Sequence, residues 1–121
     1  MTTARGEKLY DLEDRTLAFA RGVRALVKRL PKALASIEDG KQLIRASGSV
    51  GANYIEANES LSKKDFLLRI KICRKEAKES GYWLKLIDTR GNAELGNDRA
   101  ALEQEAAELT NIFGAILRKS E

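Results

Sequence analysis

Two carboxylates in the middle of this 121-residue chain, Glu76 and Glu79, have the types and spacing to do acid–base chemistry, and Arg45 and Glu56 add charge nearby. Glu76 and Glu79 are three residues apart, so on a helix they share a face, and a carboxylate pair held there can divide the roles of acid and base. Arg45 belongs to a second polar stripe. Between positions 42 and 58, at about 100° per residue, Gln42, Arg45, Ser49, Asn53 and Glu56 fall on one line of a helical wheel. Arg45 and Glu56 lie ~16 Å apart along that helix and cannot pair with each other. A hairpin of helices turning near Ser60 sets Arg45 opposite Glu76 and within a turn of Glu79. The expectation is that Arg45 forks onto Glu76 or Glu79, that Ser49 and Asn53 satisfy leftover lone pairs, and that Glu56 seeks Lys64 or Arg69.

Such a set reads in two ways. It is a catalytic pair, or it is a buried polar network that fixes helix register or the choice of oligomer partner. The second reading is preferred, because no nucleophile, metal set or phosphate loop accompanies the carboxylates. The chain has no histidine, which removes the usual base of serine and cysteine nucleophile systems and one ligand type of bundle di-iron sites. Its one cysteine, Cys73, falls on an apolar seam and reads as a small core hydrophobe; it excludes an internal disulfide framework and fits a reducing cytosol. Gly48 and Gly51 follow no strand and lack the lysine of a phosphate loop, so they read as sites of close helix approach. No catalytic residue, metal or cofactor is expected. The stripe has apolar flanks on both sides, Ile44 and Ile55 on one and Leu43, Val50 and Ala57 on the other. A surface helix needs one buried face, so the second implies another subunit or a ligand.

A basic line is the other feature with chemical content. Lys64, Lys71, Lys78 and Lys85 recur every seven residues, with Arg74 and Lys75 beside them. Arg21, Arg24, Lys28, Arg29 and Lys32 add to the charge, Glu103, Glu105 and Glu108 oppose it, and the net charge is +4. Clustered lysines suit phosphate contacts that do not read sequence. The alternative is a solvated helix face with intrahelical pairs such as Lys75–Glu79. Tyr82 and Trp83 offer rings that could stack on bases, although Trp83 adjoins an apolar stripe and favours burial.

The elements that must position these residues are all helical. The chain has one proline, Pro31, and no apolar run long enough to cross a bilayer. Four helices are expected, at about 11–30, 37–59, 62–90 and 97–119, as an antiparallel up-down-up-down bundle in one domain. Leu9, Leu12, Thr16, Phe19, Val23, Leu26 and Leu30 form the first seam, which Pro31 stops. Ser36 is the expected cap of the second helix, and Ser62, with Asp65, that of the third. The third helix carries two stripes. Phe66, Ile70, Cys73, Ala77, Ser80, Leu84 and Ile87 form one, and Leu68, Ile72, Glu76, Glu79, Trp83 and Leu86 the other. Gly91 is the expected C-cap, and Asn97 or Asp98 opens the fourth helix, whose seam is Leu102, Ala106, Leu109, Phe113 and Ile116.

Over about residues 12–116 the chain resembles the bacterial four-helix-bundle proteins named for 23S rRNA intervening sequences. The resemblance is carried by Gln42-Leu43, Arg45-Ala46-Ser47, Ser49-Val50 and Asn53-Tyr54-Ile55-Glu56-Ala57. Ser62, Asp65-Phe66, Lys75-Glu76-Ala77-Lys78-Glu79 and Tyr82-Trp83-Leu84 complete it. Many relatives have Glu-Gly where this chain has Glu56-Ala57, which marks it as a branch. The resemblance implies a cytosolic homopentameric ring of antiparallel bundles. Relatives include the accessory variability-determinant protein of diversity-generating retroelements, where a basic pentamer engages reverse transcriptase and nucleic acid. The expected function is therefore a non-enzymatic homo-oligomer that binds RNA or a ribonucleoprotein through its basic surface. The alternative is an adaptor whose ring docks a protein.

Overall fold

The computed structural model describes residues 12–121, which form four helices and their connections, with no strand among them. They are α1 (Leu12–Lys28), α2 (Leu34–Asn58), α3 (Lys63–Leu86) and α4 (Ala93–Ser120). Leu9, placed at the start of the first seam, lies outside the described residues. The helices pack in cyclic order, α1 on α2, α2 on α3, α3 on α4 and α4 back on α1, the last being the slightest contact. The core is a single cluster along the expected seams. Leu12, Phe19, Val23 and Leu26 of α1 share it with Leu43 and Val50 of α2, Ile70, Cys73, Ala77 and Leu84 of α3, and Ala106, Leu109 and Phe113 of α4. Tyr54 and Phe113 bridge the centre, their rings tilted at 5.7 Å.

Polar residues on the seams satisfy themselves locally. Thr16 Oγ1 donates to the Leu12 carbonyl at 2.7 Å and Ser80 Oγ to the Glu76 carbonyl at 2.8 Å. A buried hydroxyl that returns its proton to its own helix leaves no orphan donor in the core.

The helix ends differ from the sequence expectations in four places. α1 stops at Lys28, before Leu30, because the residue ahead of Pro31 is pushed out of helical geometry. α2 starts at Leu34 rather than near position 37, with extended Ala33 before it and no side-chain cap; Ser36 is buried inside the first turn. α3 stops at Leu86 rather than near position 90. Ile87 leaves the helix extended, buries its side chain and receives Arg99 Nη1 on its carbonyl at 2.7 Å, so Gly91 is not a C-cap. Gly91 instead forms, with Arg90, a left-handed pair at φ 69° and 55° that turns the loop. α4 begins at Ala93, earlier than position 97, with Asn92 Oδ1 accepting from the Leu95 amide at 3.0 Å. At α3 the expected cap is present: Ser62 Oγ accepts from the Asp65 amide at 3.1 Å.

Candidate nucleic-acid interface

α3 is buried along Ile70, Cys73, Ala77, Ser80 and Leu84, so the opposite side of the helix faces outward. Lys64, Lys71, Lys78 and Lys85 lie there in a row, all exposed, with Arg74 and Lys75 exposed beside them. Seven-residue spacing puts successive lysines two turns, or ~10.5 Å, apart. An open groove of about 590 Å³ runs along this side, lined by Lys71, Arg74, Lys75, Lys78, Glu79, Tyr82 and Leu117. A second, of about 360 Å³, lies between α3 and α4 and shares Arg74 and Lys78, adding Lys85, Glu103, Thr110 and Asn111 among others.

The carboxylates of α4 are engaged elsewhere. Arg15 on α1 takes Glu105 on α4 at 2.6 and 2.8 Å and Glu108 at 2.8 Å. These contacts, the Glu105 hydrogen bond foremost, hold the guanidinium charged against partial burial. Arg29 takes Asp98 at 2.6 Å and Glu94 at 2.9 Å, and Arg99 takes Glu103 at 3.4 Å. The acidity of α4 is thus spent on α1 and on α4 itself. Among the described residues, Lys64, Lys71, Arg74, Lys78 and Lys85 have no ion pair. Lys75 alone meets a carboxylate, and it is Glu76 at 3.7 Å rather than the Glu79 of the intrahelical expectation.

The polar stripe of α2 divides into two small clusters. Arg45 Nη1 stands 3.6 Å from Glu76 Oε1, and Arg45 Nη2 stands 3.5 Å from Glu79 Oε1. Asn53 Nδ2 donates to the carbonyl and the hydroxyl of Ser49, both at 2.9 Å, while Asn53 Oδ1 accepts from Arg69 Nη1 at 2.9 Å. Asn53, held by Ser49, therefore serves Arg69 and not the Glu76 carboxylate. Arg69, taken by Asn53, is not paired with Glu56, which is exposed and has no ion pair among the described residues. The expectation of one buried network gives way because Glu76 alone is buried: its side chain is 7% exposed, against 54% for Arg45 and 41% for Glu79. A long arginine lying over a half-covered carboxylate keeps its own head in water.

Comparison with known proteins agrees with this architecture. The 23S rRNA-intervening sequence protein family matches residues 10–115. The chain belongs to that family. A solved structure from Bacteroides thetaiotaomicron, described as a protein of unknown function from the S23 ribosomal protein family, is 30% identical. The likeness covers 87% of this chain and 96% of that one, with a TM-score of 0.75. A search of curated proteins finds no match. Membership in the intervening-sequence protein family fits four helices in one domain. Among the described residues no helix is long and apolar enough to cross a membrane, and no three acidic or cysteine side chains gather as metal ligands would.

One feature of this intervening-sequence protein escapes a reading of single helices, and another is only half visible in it. The Arg15–Glu105–Glu108 clamp joins residues 90 or more positions apart and has no local signal. Tyr82 and Trp83 diverge in a way that adjacency conceals: Trp83 packs against the core, whereas Tyr82 is 58% exposed and lines the basic groove. The wheel contains that signal, since Tyr82 lies in the same direction as Lys64, Lys71, Lys75 and Lys78.

Proposed function

We propose that this protein is a non-enzymatic homo-oligomer that binds RNA or a ribonucleoprotein through the outer side of α3. The observation that carries the proposal is the row of five cations on one helix face with no carboxylate partner among the described residues. Cations left unpaired in a grooved row are available to displace counterions from phosphates, which is the main source of affinity without sequence reading. Cations merely solvating a helix tend to alternate with acids, as the Lys41–Glu38 and Arg99–Glu103 pairs do.

The assembly proposed is a pentameric ring of antiparallel up-down-up-down bundles in the cytoplasm. The register of α2 and α3 supports the antiparallel arrangement: Arg45 meets Glu76, Val50 meets Cys73, and Asn53 meets Arg69, so advance along one is retreat along the other. Exposed Ile37 and Ile55 on α2, with Leu68 and Leu86 on α3, support further subunit contacts. In a ring each subunit repeats its basic row, and several weak phosphate contacts add as avidity. Glu76 fits a structural role better than acid–base work, because its buried carboxylate sits beneath Arg45 and Lys75 rather than open to a substrate.

The same apolar residues favour a second reading, an adaptor that docks a protein and has no nucleic-acid role. Fluorescence anisotropy of a labelled structured RNA separates the two. Submicromolar binding at low salt, lost in the K71E/K78E/K85E variant, supports the first reading. Absence of binding at low salt rejects it in favour of the second.

A further inference from the structure

The basic groove contains one ring that phosphate binding does not need. Tyr82 is 58% exposed and lines the groove with Lys71, Arg74, Lys75 and Lys78. Its ring is not free to wander: it meets Trp83 in a T-shaped contact at 5.2 Å and 73°, and Trp83 is itself packed against the core. A tyrosine whose neighbour is anchored, standing half-open among four cations, combines the two parts of a single-strand site, an aromatic surface for a base and cations for the backbone. The one carboxylate of the groove, Glu79, is turned to Arg45 at 3.5 Å, so its charge is countered from the α2 side.

We propose that Tyr82 is a base-stacking platform and that the groove takes single-stranded nucleic acid, with its phosphates on Lys71, Arg74, Lys75 and Lys78. Duplex is disfavoured for a geometric reason. Bases inside a helix cover one another's faces, and an aromatic side chain reaches a face only where a base is unstacked, in a loop, a bulge or an unpaired strand. The inference rests on the basic surface of α3 being a nucleic-acid surface, and it adds the strandedness of the ligand and the role of Tyr82.

The test compares a short mixed-sequence RNA with the same strand annealed to its complement, each labelled and titrated by anisotropy across a salt series. Wild-type protein is expected to bind the single strand more tightly. Tyr82→Ala is expected to weaken that binding about tenfold, the effect of losing one stacked base, and to leave duplex binding within about twofold. Tyr82→Phe keeps the ring and is expected to keep the affinity. The salt slope is expected to be unchanged by Tyr82→Ala and reduced by Lys78→Gln, because stacking releases no counterions. Tyr82 is exposed, so its replacement leaves the core intact, which circular dichroism checks. Salt-sensitive binding of both RNAs with no effect of Tyr82→Ala, or with an equal loss on both, overturns the stacking platform and leaves the basic surface standing. Binding of neither RNA at low salt overturns the surface and the platform together.

Discussion

Arg45 Nη1 lies 3.6 Å from Glu76 Oε1, and that oxygen, although buried, accepts no hydrogen bond from any described residue. The contact is an attraction between charges and not a fork of two short bonds. It leaves a buried carboxylate held by one half-exposed arginine and by Lys75 at 3.7 Å. Removing the arginine therefore exposes the cost of the buried charge more than it removes a strong bond.

Arg45→Ala is expected to lower stability by about 1–2 kcal/mol, less than the loss of a fully buried pair, because water already screens the guanidinium. Glu76→Gln is expected to change stability by less than about 1 kcal/mol, and Arg45→Ala made in that background to cost little. Urea midpoints of the four proteins measure the coupling. An Arg45→Ala midpoint equal to wild type would show that Glu76 does not need Arg45 as its countercharge in the fold.

Close approach of α1 and α2 depends on Gly51. A Cβ there would stand 2.8 Å from Thr16 Oγ1 and 3.2 Å from Thr16 Cβ, and Thr16 is buried. Gly51→Ala is expected to destabilise by about 1–3 kcal/mol from overpacking, despite the better helix propensity of alanine. Gly96 in α4 has nothing within 4 Å of the same position. Gly96→Ala is expected to stabilise by roughly 0.5–1 kcal/mol. Thermal melts that moved both variants in one direction would contradict the contrast.

Burial pushes the Cys73 thiol up from its ordinary 9.0 to about 12, and its sulfur donates weakly to the Val50 carbonyl at 3.4 Å. The unfolded chain then loses this proton before the folded one. Stability from the neutral thiol is complete below pH 9 and declines as pH rises from about 9 towards 12, by at most ~1.4 kcal/mol per pH unit. Cys73→Ala is expected to remove that part of the decline. A thiol reagent at pH 8 is expected to label Cys73 only after denaturant is added. Rapid labelling of the native protein would refute the buried assignment.

Much of the fold was legible because its signals are periodic. Phe19, Val23, Leu26, Ile70, Cys73, Leu84, Leu109 and Phe113 occupy heptad positions and are buried as those positions require. Ser62 was legible as a cap because Asp65 follows at the right distance. The start of α4 was not, since Asn92, Asn97 and Asp98 are all good caps, and the choice is settled by burial of Leu95 and by Arg29 recruiting Asp98 across helices. Ser49 and Asn53 share a stripe with Arg45, but Asn53 turns to Arg69 on α3; a wheel gives the direction of a side chain and not the reach of its neighbour. The basic row was visible as a spacing. Its lack of partners was not, because it follows from Arg15 and Arg29 drawing the acids of α4 towards α1.

The arginine clamp on α4 is itself open to test. Arg15→Ala removes a two-pronged contact to Glu105 and Glu108 between the first and last helices, where packing is slightest. The expected loss is about 1 kcal/mol, reduced at high salt because Glu108 is half exposed. Urea midpoints at low and high salt check it. A loss that did not shrink with salt would mean packing of the arginine stem, and not its charge, joins α1 to α4.

The central claim is that the unpaired cations of α3 meet phosphates, and its most direct measurement is the salt slope of RNA affinity. The dissociation constant of a labelled single-stranded RNA, taken across a salt series for wild type and for the K71Q/K78Q/K85Q variant, gives log affinity against log salt for each. The account predicts a steep negative slope for wild type, shallower in the variant by about 0.7 for every lysine that meets a phosphate, with affinity lost evenly across RNA sequences. A variant slope equal to wild type, or a wild type that binds no RNA at low salt, would contradict it.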